Sequence, residues 1–224
     1  MTARQGTTHI GKKKIGYTIR RGASEKYIRM GFTDDLELEI ILPRRDKVDI
    51  HDLLKKKKGW IEKRYKELSR SKRIYNDNKV LYKGKYRSIE IARRENSHVK
   101  SNRSGIEIMV NHVDPMDVLE AWMHRQTMIY VKDKVQEYAE KIDVTYNRIF
   151  VRVMNKWGSC SQRGNLTFNS HLVALPEKLA DYVVAHEVMH LKEFNHNMRF
   201  KHGLEKHCPH SEQKRKQLHV YLPT

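Results

Sequence analysis

The segment His186-Glu187-Val188-Met189-His190 constrains this chain most tightly, because its chemistry exists only if the segment is helical. On an α-helix, residues four apart differ by about 40° around the axis and about 6 Å along it, so both imidazoles can point at one ion. Metal–nitrogen distances of about 2.0–2.1 Å are then within reach of both rings. Glu187 is offset by about 100° from His186, so it need not ligate and can address a water on the metal. Pro176 is predicted to open this helix, and Leu179, Val183, His186 and His190 form its inward stripe. Histidines on such a stripe need partners, because a buried polar group without one is costly. A single histidine there would read as an ordinary hydrogen-bonded core residue. Histidine makes up 13 of 224 residues, and two more at chosen offsets arise by chance in roughly 0.3% of cases.

A third ligand has to come from beyond the pair. His196 lies past the expected helix end, and Asn195 tolerates the left-handed backbone that would stop the helix there. Glu193 is a rival ligand and Glu205 a weaker one. A metzincin has the same histidine spacing, but a glycine where this chain has Glu193. Three protein ligands leave a fourth position open, which marks a catalytic rather than a structural zinc site. The expectation is one catalytic Zn2+, with Glu187 activating a zinc-bound water and returning its proton to the leaving group.

The rest of the chain reads as α+β. Residues 1–14 look like a loose basic tail. Strands are expected at Tyr17–Arg20, Lys26–Phe32 and Leu36–Leu42, forming an antiparallel β-rich half. A helix follows over Val48–Ser69, capped by Asp46 or Asp49. The polar stretch Arg70–Lys79 reads as a linker between a domain at 15–78 and a second at 79–224. Val80–Arg94 is predicted to fold as a hairpin or as adjoining strands around Lys83-Gly84, and Ile106–Val110 as a strand. Asp114-Pro115 begins a long helix with the stripe Val118, Leu119, Trp122, Met128, Ile129, Val135 and Tyr138. Ile149–Val153 alternates like a strand, Asn155–Asn165 reads as a loop, and Leu166–Phe168 as a short strand.

Charge narrows the partners. The chain carries 45 Lys and Arg against 27 Asp and Glu, a net +18. Such a field attracts nucleotides and nucleic acid, or serves only solubility. The run Lys55–Lys58 reads as a solvated helix face. Two cysteines make no disulfide framework, the first ten residues lack an apolar core, and no stretch approaches the ~20 apolar residues of a membrane span. A cytoplasmic protein with no membrane partner is expected. Cys160 reads as a structural thiol. His202, His207, Cys208 and His210 match no closed metal site and read as polar surface.

The sequence Trp157-Gly158-Ser159-Cys160-Ser161, the segment Gly164 to Leu172, Pro176, Asp181 to Glu187, and Asn195-His196 with Phe200 follow one another in a pattern that resembles the YgjP-like metallopeptidase-domain family. The N-terminal strands and the helix with Trp60-Ile61 resemble the family's first half. The resemblance implies a zincin-like C-terminal half, with an HExxH active-site helix under a small sheet and His196 as third ligand. Met198-Arg199 departs from the family's usual Ser-Pro, and Lys201 from an aromatic. In zincins an edge strand beside the metal binds an extended substrate by backbone pairing. Region 157–169 is expected to do so, with Trp157, Ser159 and Asn169 as contacts; a packed turn anchored by Trp157 is the alternative. The leading reading is a zinc metallopeptidase. A nucleotide phosphohydrolase, a DNA-associated protease of SprT-like logic and a zinc-stabilised binding module are the others.

Overall fold

A computed structural model of the chain describes residues 4–11, 13–33, 36–44 and 48–223. It separates into two compact units, Met1–Ser71 and Lys72–Thr224. Both mix helices with small sheets, as the α+β reading requires.

The first unit is a four-stranded sheet with one helix. Its strands are β1 (Arg4–Ile10), β2 (Lys13–Gly22), β3 (Arg29–Phe32) and β4 (Leu38–Pro43), in the order β1-β2-β4-β3. The expected basic tail is therefore a β-hairpin, in which Arg4 to Ile10 pair antiparallel with Ile19 to Lys13. The sheet is not wholly antiparallel: β2 and β4 run parallel, with Tyr17 opposite Leu38. Leu38, Ile40 and Leu42 alternate inward and are buried with Leu53, Ile61 and Tyr65 of α1 (Ile50–Arg70). Asp49 caps α1, its carboxylate accepting from the amides of His51 at 2.7 Å and Asp52 at 3.2 Å. The alternative cap, Asp46, lies outside the described residues.

The second unit begins inside the expected linker. Ile74 is fully buried, and Tyr75–Asn76 form β5, which pairs with β6 (Lys79–Tyr82). Lys72 also bridges to Tyr221, so this stretch is tied into the unit from both sides. Next come β7 (Lys85–Arg93), β8 (His98–Ser101) and β9 (Gly105–Val110), giving a sheet in the order β5-β6-β7-β9-β8. The predicted hairpin turn is present, with Lys83 at φ 49° and Gly84 at φ 77°. Positive φ at both central residues is what a tight two-residue hairpin demands. A Cβ on Gly84 would lie 2.7 Å from the ring of Pro176, so this turn packs against the entry to the histidine-bearing helix.

Helix α2 (Pro115–Ile142) starts as predicted, with Asp114 accepting from the Met116 amide at 2.7 Å. Its buried stripe is Leu119, Met123, Thr127, Val131, Val135 and Tyr138, at spacings of four and three. Ile129, expected on that stripe, is exposed. A smaller sheet follows, of β10 (Ile149–Arg152), β11 (Gly158–Cys160) and β12 (Leu166–Asn169), in the order β10-β12-β11. Strand β11 lies in the segment read as a loop. The chain closes with α3 (Glu177–Met189), α4 (Met198–His207) and α5 (Ser211–Leu218). No described helix is long and apolar enough to cross a membrane.

If residues 72–79 are core rather than linker, Ile74→Ala destabilises the second unit. Truncating a fully buried isoleucine costs about 2–5 kcal/mol. The midpoint of chemical denaturation should fall accordingly, and an unchanged midpoint would return the segment to the linker reading.

Candidate metal centre

Helix α3 is buried along most of its length, including Leu179, Tyr182, Val183, Val184, Ala185, Glu187, Val188 and Met189. It ends earlier than the sequence suggests. Met189 is its last residue, and His190 keeps helical backbone as the cap, its amide donating to His186 O at 3.3 Å. Asn195 does not adopt the left-handed conformation expected of it. The helix stops by tightening instead: the Leu191 and Lys192 amides each donate three residues back, to Val188 O and Met189 O, both at 3.0 Å. Three-residue bonds of this kind are how many helices finish. The chain then turns through Phe194–Asn197, and Asn197 caps α4 by accepting from the Phe200 amide at 2.9 Å.

That turn brings His196 to His186 and His190. Among the described residues these three form the one His, Cys, Asp or Glu group with metal-holding geometry, one nitrogen of each lying within 4.8 Å of the others. The Nε2 atoms of His186 and His196 are 3.0 Å apart. Two nitrogens on one tetrahedral zinc would sit roughly 3.3 Å apart, given zinc–nitrogen bonds of about 2.0–2.1 Å. The donor set therefore fits a zinc ion.

Two neighbours fix the ring orientations. His190 Nδ1 lies 3.2 Å from the Glu193 carbonyl, which only accepts, so this nitrogen carries the proton and Nε2 keeps its lone pair. His186 Nδ1 lies 3.4 Å from the Tyr182 hydroxyl, one helical turn back. Phe200 closes the centre from below, its ring 4.6–5.0 Å from all three imidazoles by centroid. Burial, with the neighbouring His190 and His196, pushes His186 down to about 3, and burial lowers His190 as well. Both histidines therefore stay neutral at ordinary pH, the state a metal ligand needs.

The rival ligands are engaged elsewhere. The Glu193 carboxylate accepts from the Asn197 side chain at 3.2 Å. Glu205 accepts from the amides of His210 at 2.7 Å and Ser211 at 2.9 Å, joining α4 to α5. His202, His207, Cys208 and His210 are not part of any metal-holding group among the described residues. Cys160 is half-buried, and burial pushes its thiol up to about 11, the opposite of an activated nucleophile.

Glu187 is 7% exposed. Burial raises its carboxyl to about 8, with Lys156 acting against the shift. It lies against β11: a Cβ on Gly158 would come 2.7 Å from Glu187 Cγ and 2.9 Å from Oε1. Gly158 therefore leaves room for the carboxylate, a role nothing in the local sequence announces. Of the three expected substrate contacts, Ser159 is half-buried on β11, opposite Thr167. Trp157 is buried in the main core. Asn169 is fully buried; its side-chain amide donates to Met154 O and Lys156 O, and its Oδ1 accepts from the His171 amide at 2.9 Å. Asn169 thus shapes the 154–156 loop beside β11 and is closed to substrate. Tyr182 stands four residues before His186, the helical spacing that lets its hydroxyl reach the ring.

The YgjP-like metallopeptidase-domain profile matches residues 26–221. Two solved structures are similar in part. One is the metallopeptidase zymogen of Pyrococcus abyssi abylysin, at 20% identity and TM-score 0.37, covering 39% of this chain and 90% of that one. The other is the metallopeptidase zymogen of Methanocaldococcus jannaschii jannalysin, at 25% identity and TM-score 0.35, covering 40% of this chain and 86% of that one. No curated protein matches.

Burial of Glu187 sets a pH dependence in the metal-free chain. Its folded-state pKa of about 8 lies above the ordinary 4.5. The folded state then keeps a proton that the unfolded chain sheds, so this group's stabilising contribution is lost as pH rises through that window. Glu187→Gln removes the penalty, while the opposite contribution of His186 remains in both proteins. With metal chelated, the melting temperature of Glu187→Gln should rise relative to wild type from pH 4.5 to 8. A difference that stays flat with pH would mean that the carboxyl is not held protonated by burial.

Proposed function

The chain belongs to the YgjP-like metallopeptidase family, and from that premise we propose that it is a zinc-dependent peptidase, with His186, His190 and His196 as ligands and Glu187 as general base. The observation that carries the reading is the convergence of three imidazoles beside one buried carboxyl. A zinc ion held there supplies a positive charge that acidifies water and polarises the carbonyl under attack.

The chain's own residues do the rest. The Glu193 carbonyl holds the His190 ring with Nε2 available, and the Tyr182 hydroxyl holds His186 at Nδ1, leaving its Nε2 available when the hydroxyl accepts. Glu187 takes the proton of the attacking water and delivers it to the departing amine. Its pocket suits both halves of that task, because a carboxyl lifted towards neutrality returns a proton more readily than a solvated one. Strand β11 ends its sheet, and among the described residues it pairs on one side, with β12. The other edge offers backbone donors and acceptors to an extended peptide, with Ser159 beside it. This edge favours a peptide over a nucleotide as substrate.

The test is a screen of zinc-loaded wild type and Glu187→Gln against a diverse peptide library and a panel of nucleoside triphosphates. Peptide cleavage should fall about 10²–10⁴-fold in Glu187→Gln, the usual worth of a general base, while zinc content stays at one ion per chain. His196→Ala should lose the zinc itself. Nucleotide hydrolysis that depends on Glu187, with no peptide cleavage, would replace the peptidase reading by a phosphohydrolase.

Gly158→Ala tests the contact between β11 and the base. The added methyl pushes Glu187 out of place, so peptide cleavage should drop at least tenfold with zinc retained. Wild-type rates in this variant would show that the carboxylate has room to spare.

A further inference from the structure

The first unit contains none of the residues proposed for the metal centre, yet it has its own cleft and a concentrated charge. Residues 1–71 carry 19 Lys and Arg against 10 Asp and Glu, an excess equal to that of the remaining 153 residues, with 26 against 17. The cleft holds about 570 Å³ and is lined by Lys26, Tyr27, Met30, Leu53, Lys57 and Trp60, among others. That volume lies within the roughly 300–1,000 Å³ of ordinary ligand sites. Leu53, Lys57 and Trp60 follow one another at four and three residues on α1, so they share one helix face.

The lining is unusual for a solvated surface. Tyr27 is 79% exposed and Trp60 42% exposed. Trp60 is stacked on Phe32, with ring centroids 6.5 Å apart, so its plane is supported by the protein while much of the ring still meets solvent. Solubility alone explains lysines and does not explain open aromatic rings beside them. The run Lys55–Lys58 is exposed throughout. Among the described residues, no carboxylate forms an ion pair with Lys26 or with any lysine of that run.

We propose that this cleft binds single-stranded nucleic acid, with Tyr27 and Trp60 as stacking platforms for bases and Lys26 and Lys57 as contacts to phosphate. Single strands present both chemistries together: a flat face on each base and a charge on each phosphate. An acidic peptide supplies the charge without a base to stack. A duplex hides its bases in its own stack, leaving the two rings without a use. Stacking on an aromatic tolerates any sequence, so the site should show little preference among bases.

The experiment is fluorescence anisotropy of the full, zinc-loaded chain with a labelled single-stranded oligonucleotide of mixed sequence, titrated at several salt concentrations. Wild type should bind with an affinity that falls linearly in log–log form as salt rises. Tyr27→Ala should weaken binding about tenfold, within the range for loss of one stacked base. Tyr27 is exposed, so its loss leaves the core intact, and zinc content and melting temperature check integrity. Lys57→Ala should lower the magnitude of the salt slope by about 0.7, the share of one phosphate contact on a single strand. Lys132→Ala, an exposed position on α2, is the control and should leave both quantities unchanged. Absent binding at low salt overturns the proposal. So does wild-type affinity in Tyr27→Ala, and so does equal Tyr27-dependent binding to polyglutamate or to phosphatidylserine vesicles.

Discussion

Burial of α3 is the constraint on which the second unit depends. A helix enclosed along most of its length must satisfy its polar side chains without bulk water. Asp181 is met by the Tyr130 hydroxyl of α2 at 2.6 Å. Tyr182 is met by His186, and His190 by the Glu193 carbonyl. Each of these bonds also orients the group it satisfies. The imidazoles are oriented from within α3 and the turn after it, while α2 holds the body of α3 through Tyr130. Thr127 of α2 donates to Ser170 O at 2.7 Å, and Glu120 on the same helix lies 2.7 Å from His171 Nε2. One helix therefore holds both α3 and the turn after β12. What remains after these pairings is one nitrogen on each of three imidazoles, all within 4.8 Å of one another.

The features legible in the sequence are those fixed by short-range geometry. Asp114-Pro115 states a helix start, Lys83-Gly84 states a hairpin, and the spacing of His186 and His190 states a shared helix face. Each needs only a few neighbouring residues to be interpreted. The misread features show no apolar periodicity of their own and are defined only by the segment that pairs with them. The segment Arg4–Ile10 is a strand because Ile19 to Lys13 lie opposite it, and its threonines and glycine show no apolar alternation. Ile74 sits in a polar stretch and is buried only once β6 is in place, with the Leu81 amide donating to Ile74 O. Thr127 occupies a core position because its hydroxyl finds a carbonyl 43 residues away.

The site shows the same division. His186, Glu187 and His190 follow from helix periodicity. His196 leans partly on the resemblance, because its position rests on an early helix end and a turn whose bonds are invisible in composition. Asn169 is expected as a substrate contact only because it falls in the region 157–169 that the zincin resemblance places beside the metal. Its amide instead meets three backbone groups of the surrounding loops, a role set by geometry alone. Gly158 is the clearest case of a residue whose meaning is a distance. Nothing in Trp157-Gly158-Ser159 distinguishes a turn glycine from one that clears a carboxylate, until Glu187 is found within 3 Å of where a side chain would begin.

The proposed chemistry gives the buried carboxyl and the imidazoles a common logic. In the metal-free chain, burial alone keeps the Glu187 proton on until about pH 8, so below that the group is an acid rather than a base. A divalent cation nearby favours the ionised carboxylate and acts against desolvation. Ionisation of Glu187 and occupation of the three imidazoles are then coupled, each making the other more favourable by the same free energy. Lys156 already opposes the desolvation in a small way, and the ion extends the same effect. On the proposed function, Glu187 would act as a base once the histidines hold an ion, and an empty centre would leave its carboxyl protonated below about pH 8. The environment that makes Glu187 costly to ionise would, on that proposal, tie its role to the presence of the metal.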